Sequence, residues 1–271
     1  MKEYDLKKIR NLLLMGSGGA GKTSLAEQIF FLTHATNRIG KIDEGNTVMD
    51  FDAEETAKKM SLSLSIGFVN YNDHKINILD APGTPDFVAD AIVAIPAVEN
   101  VVLVANAAAG FEVGLELAIE QLEHKKVGKI VVVNRMDNEH ADFQKTLDSI
   151  YENSGLKATP LMLPIGKEGS FEGVIDVISM KAIRPAGVSD IPAELHDLAE
   201  EARLHLMEAV AETDEELLNS FLENMELSQE QMMPGLKKAI ASGEIIPAFA
   251  CSANTGVGVN AFLDATLAYL P

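Results

Sequence analysis

Hydrophobic residues in this chain fall into short runs, and the period of each run points to an element. Ile9–Met15 is an apolar run ending at Gly16, the pattern of a buried strand. Lys22–Leu32 carries Leu25, Ile29, Phe30 and Leu32 at helical spacing. Residues 33–59 are polar, poorly periodic and contain Gly40 and Gly45, which predicts a mobile loop. Residues 61–70 alternate through Leu62, Leu64, Ile66 and Phe68. Residues 75–79 alternate likewise, so the two runs predict a hairpin turning at Asn72-Asp73. Residues 98–105 and 129–133 are rich in β-branched side chains, as in parallel strands covered on both faces. Helices are predicted at 87–95, 113–126 and 140–152. The alternation then breaks: residues 159–183 read as several short strands, and 192–242 as acidic, methionine-rich helix. A strand at 245–250 and a helix at 259–270 restore it. The expectation is an α/β fold with a doubly wound, mostly parallel sheet flanked by helices. An α+β insert interrupts it at about residues 160–244.

Composition narrows the setting. The 271 residues are 47% hydrophobic, enough for one large core, or one core plus a smaller insert. The single cysteine, Cys251, cannot form an internal disulfide and fits a reducing compartment. The apolar run at 11–15 is too short for a signal-peptide core, and no stretch reaches the length of a membrane span. A cytoplasmic protein with no membrane partner is expected. The net charge of −19 repels nucleic-acid phosphates, so direct nucleic-acid binding by this acidic domain is not expected. His34, His74, His124, His140, His196 and His205 are scattered without metal-ligand spacing. Met225, Met232 and Met233 read as packing in the insert, and Arg38 as a solvated loop residue.

Four motifs carry chemistry. Gly16-Ser17-Gly18-Gly19-Ala20-Gly21-Lys22-Thr23 fits G-x-x-x-x-G-K-[ST] between a predicted strand and a predicted helix, as in P-loop NTPases. Glycines let backbone N–H groups from Ser17 through Ser24 turn toward phosphate oxygens, and the helix N-terminus favours the anion. Lys22 would neutralise the terminal phosphates, and the Thr23 hydroxyl would ligate Mg²⁺. Asp80-Ala81-Pro82-Gly83 ends the strand at 75–79. Asp80 is placed to hold Mg²⁺ through water, and Gly83 to offer its N–H to a γ-phosphate. Asn134-Arg135-Met136-Asp137 resembles N-K-x-D. A carboxylate at Asp137 can accept hydrogens from guanine N1 and the 2-amino group together. Adenine lacks that pair, and such unmade polar contacts discriminate by about 10⁴-fold. Cys251-Ser252-Ala253 fits a loop whose backbone N–H reads guanine O6.

In order and spacing these motifs resemble the GTPase domain of translation factors, most closely elongation factor G and elongation factor G-like proteins. Residues 39–51 resemble that family's first switch. Residues 164–176 and 209–216 resemble its inserted G′ subdomain, and 256–271 its closing helix. The resemblance implies GTP and GDP as ligands, Mg²⁺ as cofactor, a ribosomal partner, a ribosomal stalk protein at the insert, and further domains beyond Pro271. Arg135 stands where N-K-x-D has lysine, an exchange that is not neutral although its stem could still cover the base, and three further positions depart from the family pattern. Thr84 stands where the family has a histidine that orients the attacking water. Gly19 stands where the phosphate loop usually has aspartate. Ser61 stands where the first switch usually offers a threonine to Mg²⁺. Serine can supply the same hydroxyl, whereas Thr84 cannot replace an imidazole, a group that typically contributes about 10²–10⁴-fold. Intact GTP binding with slow hydrolysis is therefore expected. The alternatives are a GTP-gated binding module with negligible hydrolysis and a ribosome-protection or release-factor-type GTPase. A P-loop kinase or ATPase is a more distant reading, opposed by Asn134 and Asp137.

Overall fold

The computed structural model describes residues 4–270; Met1–Glu3 and Pro271, the ends of the expected domain, lie outside the described residues. In chain order, β1 (Ile9–Met15) leads into α1 (Lys22–Leu32). A long loop holding the short helix α2 (Ala53–Lys58) reaches the hairpin of β2 (Ser65–Tyr71) and β3 (His74–Asp80). There follow α3 (Val88–Ala94), β4 (Asn100–Asn106), α4 (Val113–Gln121), β5 (Gly128–Asn134), α5 (Phe143–Ser154) and β6 (Ala158–Pro160). Four strands come next: β7 (Met162–Ile165), β8 (Gly173–Asp176), β9 (Lys181–Arg184) and β10 (Gly187–Ser189). Helices α6 (His196–Ala211), α7 (Glu215–Asn224) and α8 (Gln229–Ser242) precede β11 (Ile246–Ala250) and α9 (Val259–Tyr269).

The main sheet has the order β2-β3-β1-β4-β5-β11-β6. Only β2 runs antiparallel to its neighbour, and every other pair is parallel. A second, antiparallel sheet, β10-β9-β8-β7, forms with the helices after it the expected α+β subdomain. Central strands have helices on both faces, so Leu12, Leu13 and Leu14 are all fully buried, as are Val101, Val102, Leu103 and Val104. β2 lies at the edge, and its faces are the reverse of what the apolar alternation predicts: Ser65 and Val69 are buried, while Ile66 and Phe68 are exposed. β1 has β3 on one side and β4 on the other. The chain winds in opposite directions from this point, which opens a crevice at the carboxyl ends of these strands.

Several boundaries differ from the sequence reading for local reasons. The loop at 33–59 contains α2 because Asp52 and Glu55 form a reciprocal cap on its first turn. The strand expected from Ser61 begins at Ser65. The N–H groups of Leu62 and Ser63 go instead to Glu55 Oε1, and that of Leu64 to Asp90 Oδ2. The helix expected from His140 starts at Phe143, since Asp142 caps it by accepting from the Lys145 N–H at 2.9 Å. The helix expected to reach Lys126 ends at Gln121, and His124 adopts a left-handed φ of 59° just beyond. Thr159, expected among the strands of the insert, lies in β6 and pairs with β11 in the main sheet.

The last strand and helix close the core through an edge-to-face pair, Phe249 and Phe262, with ring centroids 5.3 Å apart. Both rings are essentially unexposed. Phe249→Ala is expected to destabilise the domain by about 3–5 kcal/mol. Urea unfolding should show this as a lower midpoint with an unchanged slope.

Candidate functional site

The loop after β1 threads between two strand ends. A Cβ on Gly16 would sit 2.3 Å from the Val104 carbonyl oxygen, and one on Gly21 would sit 2.5 Å from Asn134 Nδ2. Both residues have positive φ, 138° and 89°, so glycine meets a steric and a conformational need at once. Gly18 and Gly19 are exposed at the loop's crest, and Gly19 has φ 81° with open space around it. Lys22 is buried, and its Nζ donates to the carbonyls of Gly16 (3.0 Å) and Ser17 (2.9 Å). Burial lowers the Lys22 pKa, against the opposing charges of Asp80, Asp50 and Glu112. Ser17 Oγ accepts from the Leu115 N–H at 3.0 Å, which fastens the loop to the start of α4. A Cβ on Gly114 would sit 2.6 Å from Ser17 Cα, so this helix approaches the loop only through glycine. Ala20 N–H closes the turn on the Ser17 carbonyl at 3.2 Å, and Ser24 lines the cleft above α1.

Beside the first turn of α1, oxygen atoms converge. Asp80, at the end of β3, is 1% exposed. Its Oδ2 accepts from Thr23 Oγ1 at 2.6 Å, and its Oδ1 has no partner. Thr23 Oγ1 is also 3.1 Å from Ser61 Oγ. Asp50 is buried nearby; the Ser61 hydroxyl lies toward it, short of a formed hydrogen bond, and both Asp50 carboxylate oxygens are without a partner. Burial pushes the Asp80 pKa up to about 7, although Lys22 and Thr23 favour its charged form; Asp50 and Glu27 push it further up. Burial likewise raises Asp50. Orphaned buried carboxylate oxygens are costly, and hard oxygen donors of this kind suit a divalent cation such as Mg²⁺. Sequence reasoning assigned Thr23, Ser61 and Asp80 to this cluster but missed Asp50. Nothing local marks that residue, because the groups around it come from positions 22, 61 and 80.

The segment after β3 lies against the phosphate loop. Gly18 N–H donates to the Gly83 carbonyl at 3.0 Å. A Cβ on Gly83 would sit 2.3 Å from Lys22 Nζ, so this approach also needs glycine. Thr84 follows, half-buried, and its carbonyl accepts from the Phe87 N–H to start the turn Pro85–Phe87. Gly83 and Thr84 both line the cleft, and the Thr84 hydroxyl caps nothing.

At the other end of the cleft, the loops after β5 and β11 meet. Asn134 is fully buried, and its Nδ2 donates to the carbonyls of Ala20 (2.9 Å) and Gly21 (3.3 Å). Its Oδ1 accepts from the Ala253 N–H at 2.9 Å. The Ala253 N–H expected to face a base is therefore engaged by Asn134. Asp137 accepts from Ser252 Oγ at 2.6 Å on one oxygen and from Asn254 Nδ2 at 2.9 Å on the other. Ser252 is buried and Asn254 exposed; the sequence reading did not include Asn254. Arg135 has a left-handed φ of 63° and lines the cleft with Asn138, Ala253 and Asn254. Cys251 is buried against Asn134, and burial, with Asp137 nearby, raises its thiol pKa far above the ordinary value. The whole cleft encloses about 750 Å³ and is lined by both Lys22 and Arg135.

Residues 7–271 match the family model described as the elongation factor Tu GTP binding domain. Among solved structures, the chain is similar to a protein from Thermus thermophilus, with a TM-score of 0.90 and 30% sequence identity. The likeness covers 98% of this chain and 40% of the Thermus chain, so this sequence spans well under half the length of that relative.

The Asp80 pKa gives a pH dependence with a definite sign. Without metal and nucleotide, the folded protein retains a proton on Asp80 that the unfolded chain releases between pH 3.8 and about 7. The contribution of Asp80 to stability is therefore fully present below this window and is lost as pH rises through it. Asp80→Asn should lessen that loss, which urea unfolding at pH 4.5 and 7.5 in chelator measures directly.

Proposed function

We propose, because this chain belongs to the family of the elongation factor Tu GTP-binding domain, that it binds GTP and hydrolyses it slowly to GDP and phosphate. It would act as the nucleotide switch of an elongation factor G-like translation factor. The observation that favours guanine over adenine is the Asp137 carboxylate, held by Ser252 and by Asn254, which itself lines the cleft. One oxygen is tied to a buried hydroxyl and the other to an exposed amide. Asn254 can give way to a base that offers two hydrogens side by side. A base without them would leave a carboxylate unsatisfied.

The chain's own residues then divide the work. Backbone N–H groups from Gly18 to Ser24 and the N-terminus of α1 bind the phosphates. Lys22, released from the Gly16 and Ser17 carbonyls, places its charge on the terminal phosphate oxygens. Thr23, Ser61, Asp50 and Asp80 would hold Mg²⁺, which when bound neutralises charge on the transferring phosphoryl group. Gly83 donates its N–H at the same end of the cleft, and its bond from Gly18 N–H yields when a γ-phosphate takes its place. That exchange would couple nucleotide state to the segments around Ser61 and Thr84. Thr84 lines the cleft but has no group that can orient water and pass its proton as an imidazole does. Slow hydrolysis follows from that side chain.

Engagement of the ribosome would use a longer polypeptide, as the length of the Thermus relative suggests. A ribosomal stalk protein at the α+β subdomain is the partner proposed for its acidic helices. No helix among the described residues is long and apolar enough to cross a membrane, which accords with a cytoplasmic role.

Single-turnover hydrolysis of bound GTP, wild type against Thr84→His, with GTP and ATP competed for the site, tests this reading. The expected result is preference for GTP, a nearly inert wild type, and acceleration by histidine of about 10²-fold or more. Equal competition by ATP would sink the guanine assignment. Rapid hydrolysis by the wild type would mean that another group orients the water.

A further inference from the structure

Thr23 and Glu27 are four residues apart on α1 and so lie on one face of that helix. Thr23 serves the oxygen cluster. Glu27, one turn further on, is 0% exposed. Its Oε1 accepts from two successive backbone N–H groups of the long loop, Val48 at 2.6 Å and Met49 at 3.2 Å. Its Oε2 faces Gly40: a Cβ there would sit 2.3 Å from Oε2 and 2.7 Å from Thr47 Cα. The Gly40 N–H points toward Oε2 without completing a hydrogen bond, so that oxygen has no partner. The same stretch is gripped from the other side, where Ser65 Oγ donates to the Met49 carbonyl at 2.7 Å. Asp50 is the next residue, and its own N–H is held by Thr47 Oγ1 at 3.2 Å.

The loop's second contribution to the oxygen cluster is fixed by the same device. Ser61 is followed by Leu62 and Ser63, whose N–H groups both go to Glu55 Oε1. Each loop residue at the cluster thus adjoins a pair of N–H groups held by one buried carboxylate. The two carboxylates differ in where they are rooted. Glu55 belongs to the loop itself, whereas Glu27 belongs to the helix that begins at the phosphate loop. Glu27 thus ties the first half of the loop to the helix that begins at the phosphate loop, while Ser65 ties it to β2. Hydrogen bonds to a buried charged acceptor are the strong kind, and a fully buried carboxylate is retained at a cost that its N–H partners must offset.

We propose that Glu27 is a positioning residue: it latches residues 40–50 onto α1, so that Asp50 stands at the cation cluster before any nucleotide arrives. The consequence for Mg²⁺ rests on the nucleotide-site reading above; the latch itself does not.

The test uses the full chain as wild type, Glu27→Ala and Glu27→Gln, free of nucleotide and in chelator. Trypsin cleavage after the exposed Arg38 and Lys41 is measured relative to cleavage after the exposed Lys125 and Lys126 in a distant turn. The latch predicts that Glu27→Ala raises this ratio about tenfold or more, since two charge-assisted bonds are lost and the loop opens locally. Glu27→Gln, which keeps one acceptor oxygen, should restore most of the protection. The Mg²⁺ concentration that half-saturates the enhancement of GDP affinity should rise in Glu27→Ala, while GDP affinity in chelator stays at the wild-type value. An unchanged ratio, or an equal rise at both places, would overturn the latch. Faster loop cleavage with an unshifted Mg²⁺ midpoint would overturn the positioning role, because Asp50 would then be placed without Glu27. If cleavage behaves as expected but the wild type binds no guanine nucleotide, the functional reading fails and the latch stands.

Discussion

The Asn134 carboxamide joins three loops that come from distant parts of the chain. Its Nδ2 holds the carbonyls of Ala20 and Gly21 in the phosphate loop, and its Oδ1 holds the Ala253 N–H after β11. Its own backbone carbonyl accepts from Ala107, after β4. The side chain is fully buried, so each unmade bond would carry the full desolvation penalty. This explains why Gly21 can carry no Cβ: the space is filled by Asn134 Nδ2. Asn134 also holds the loop after β1 at a fixed separation from the loop after β11. The two loops are parts of one hydrogen-bonded unit set on the carboxyl edges of β1, β5 and β11.

The opposite wall of the cleft is held in a less comfortable balance. Asp50, Asp80 and Glu27 are buried within reach of one another's charge, with Lys22 as the nearby cation. Asp50 and Asp80 are left with unpartnered oxygens. Such an excess of buried negative charge is unfavourable for the empty protein. Local rules broken in one place, while the rest of the sheet obeys them, mark where function is concentrated. Glycines carry the same message in steric form, since Gly16, Gly21, Gly83 and Gly114 all lie where a methyl group would collide with the opposing loop.

Much of the fold was legible because central strands and helices announce themselves by period. The apolar runs at β1, β4 and β5 and the alternating hairpin of β2 and β3 needed no tertiary information. The glycine-rich loop, Asp80, Asn134 and Asp137 could be singled out as candidates because their spacing is tied to backbone geometry that the sequence alone encodes. What escaped was non-local. Glu27 and Asp50 look like ordinary polar residues until the loop folds back across α1. The start of β2 lies at Ser65 rather than Ser61 because Glu55 and Asp90 capture N–H groups that alternation alone would give to a ladder. The capping pair Asp52 and Glu55 was in the sequence, and it marked α2 within a stretch whose weak periodicity read as loop. Asn254 and Gly114 depend on contacts between loops far apart in the chain, which no window of sequence contains.

The central claim is that the loop after β1 and the loops after β5 and β11, proposed to bind phosphate and base, are one unit joined by Asn134. It is tested most directly by titration calorimetry of nucleotide-free Asn134→Ala against wild type, with GDP and, separately, inorganic pyrophosphate, each with Mg²⁺. Far-ultraviolet circular dichroism would verify that the variant is folded. The account predicts that affinity for both ligands falls, by about tenfold or more, since the phosphate loop loses two hydrogen bonds that shape it. Weaker GDP binding with unchanged pyrophosphate binding would contradict it, and would reduce Asn134 to a contact for the base alone.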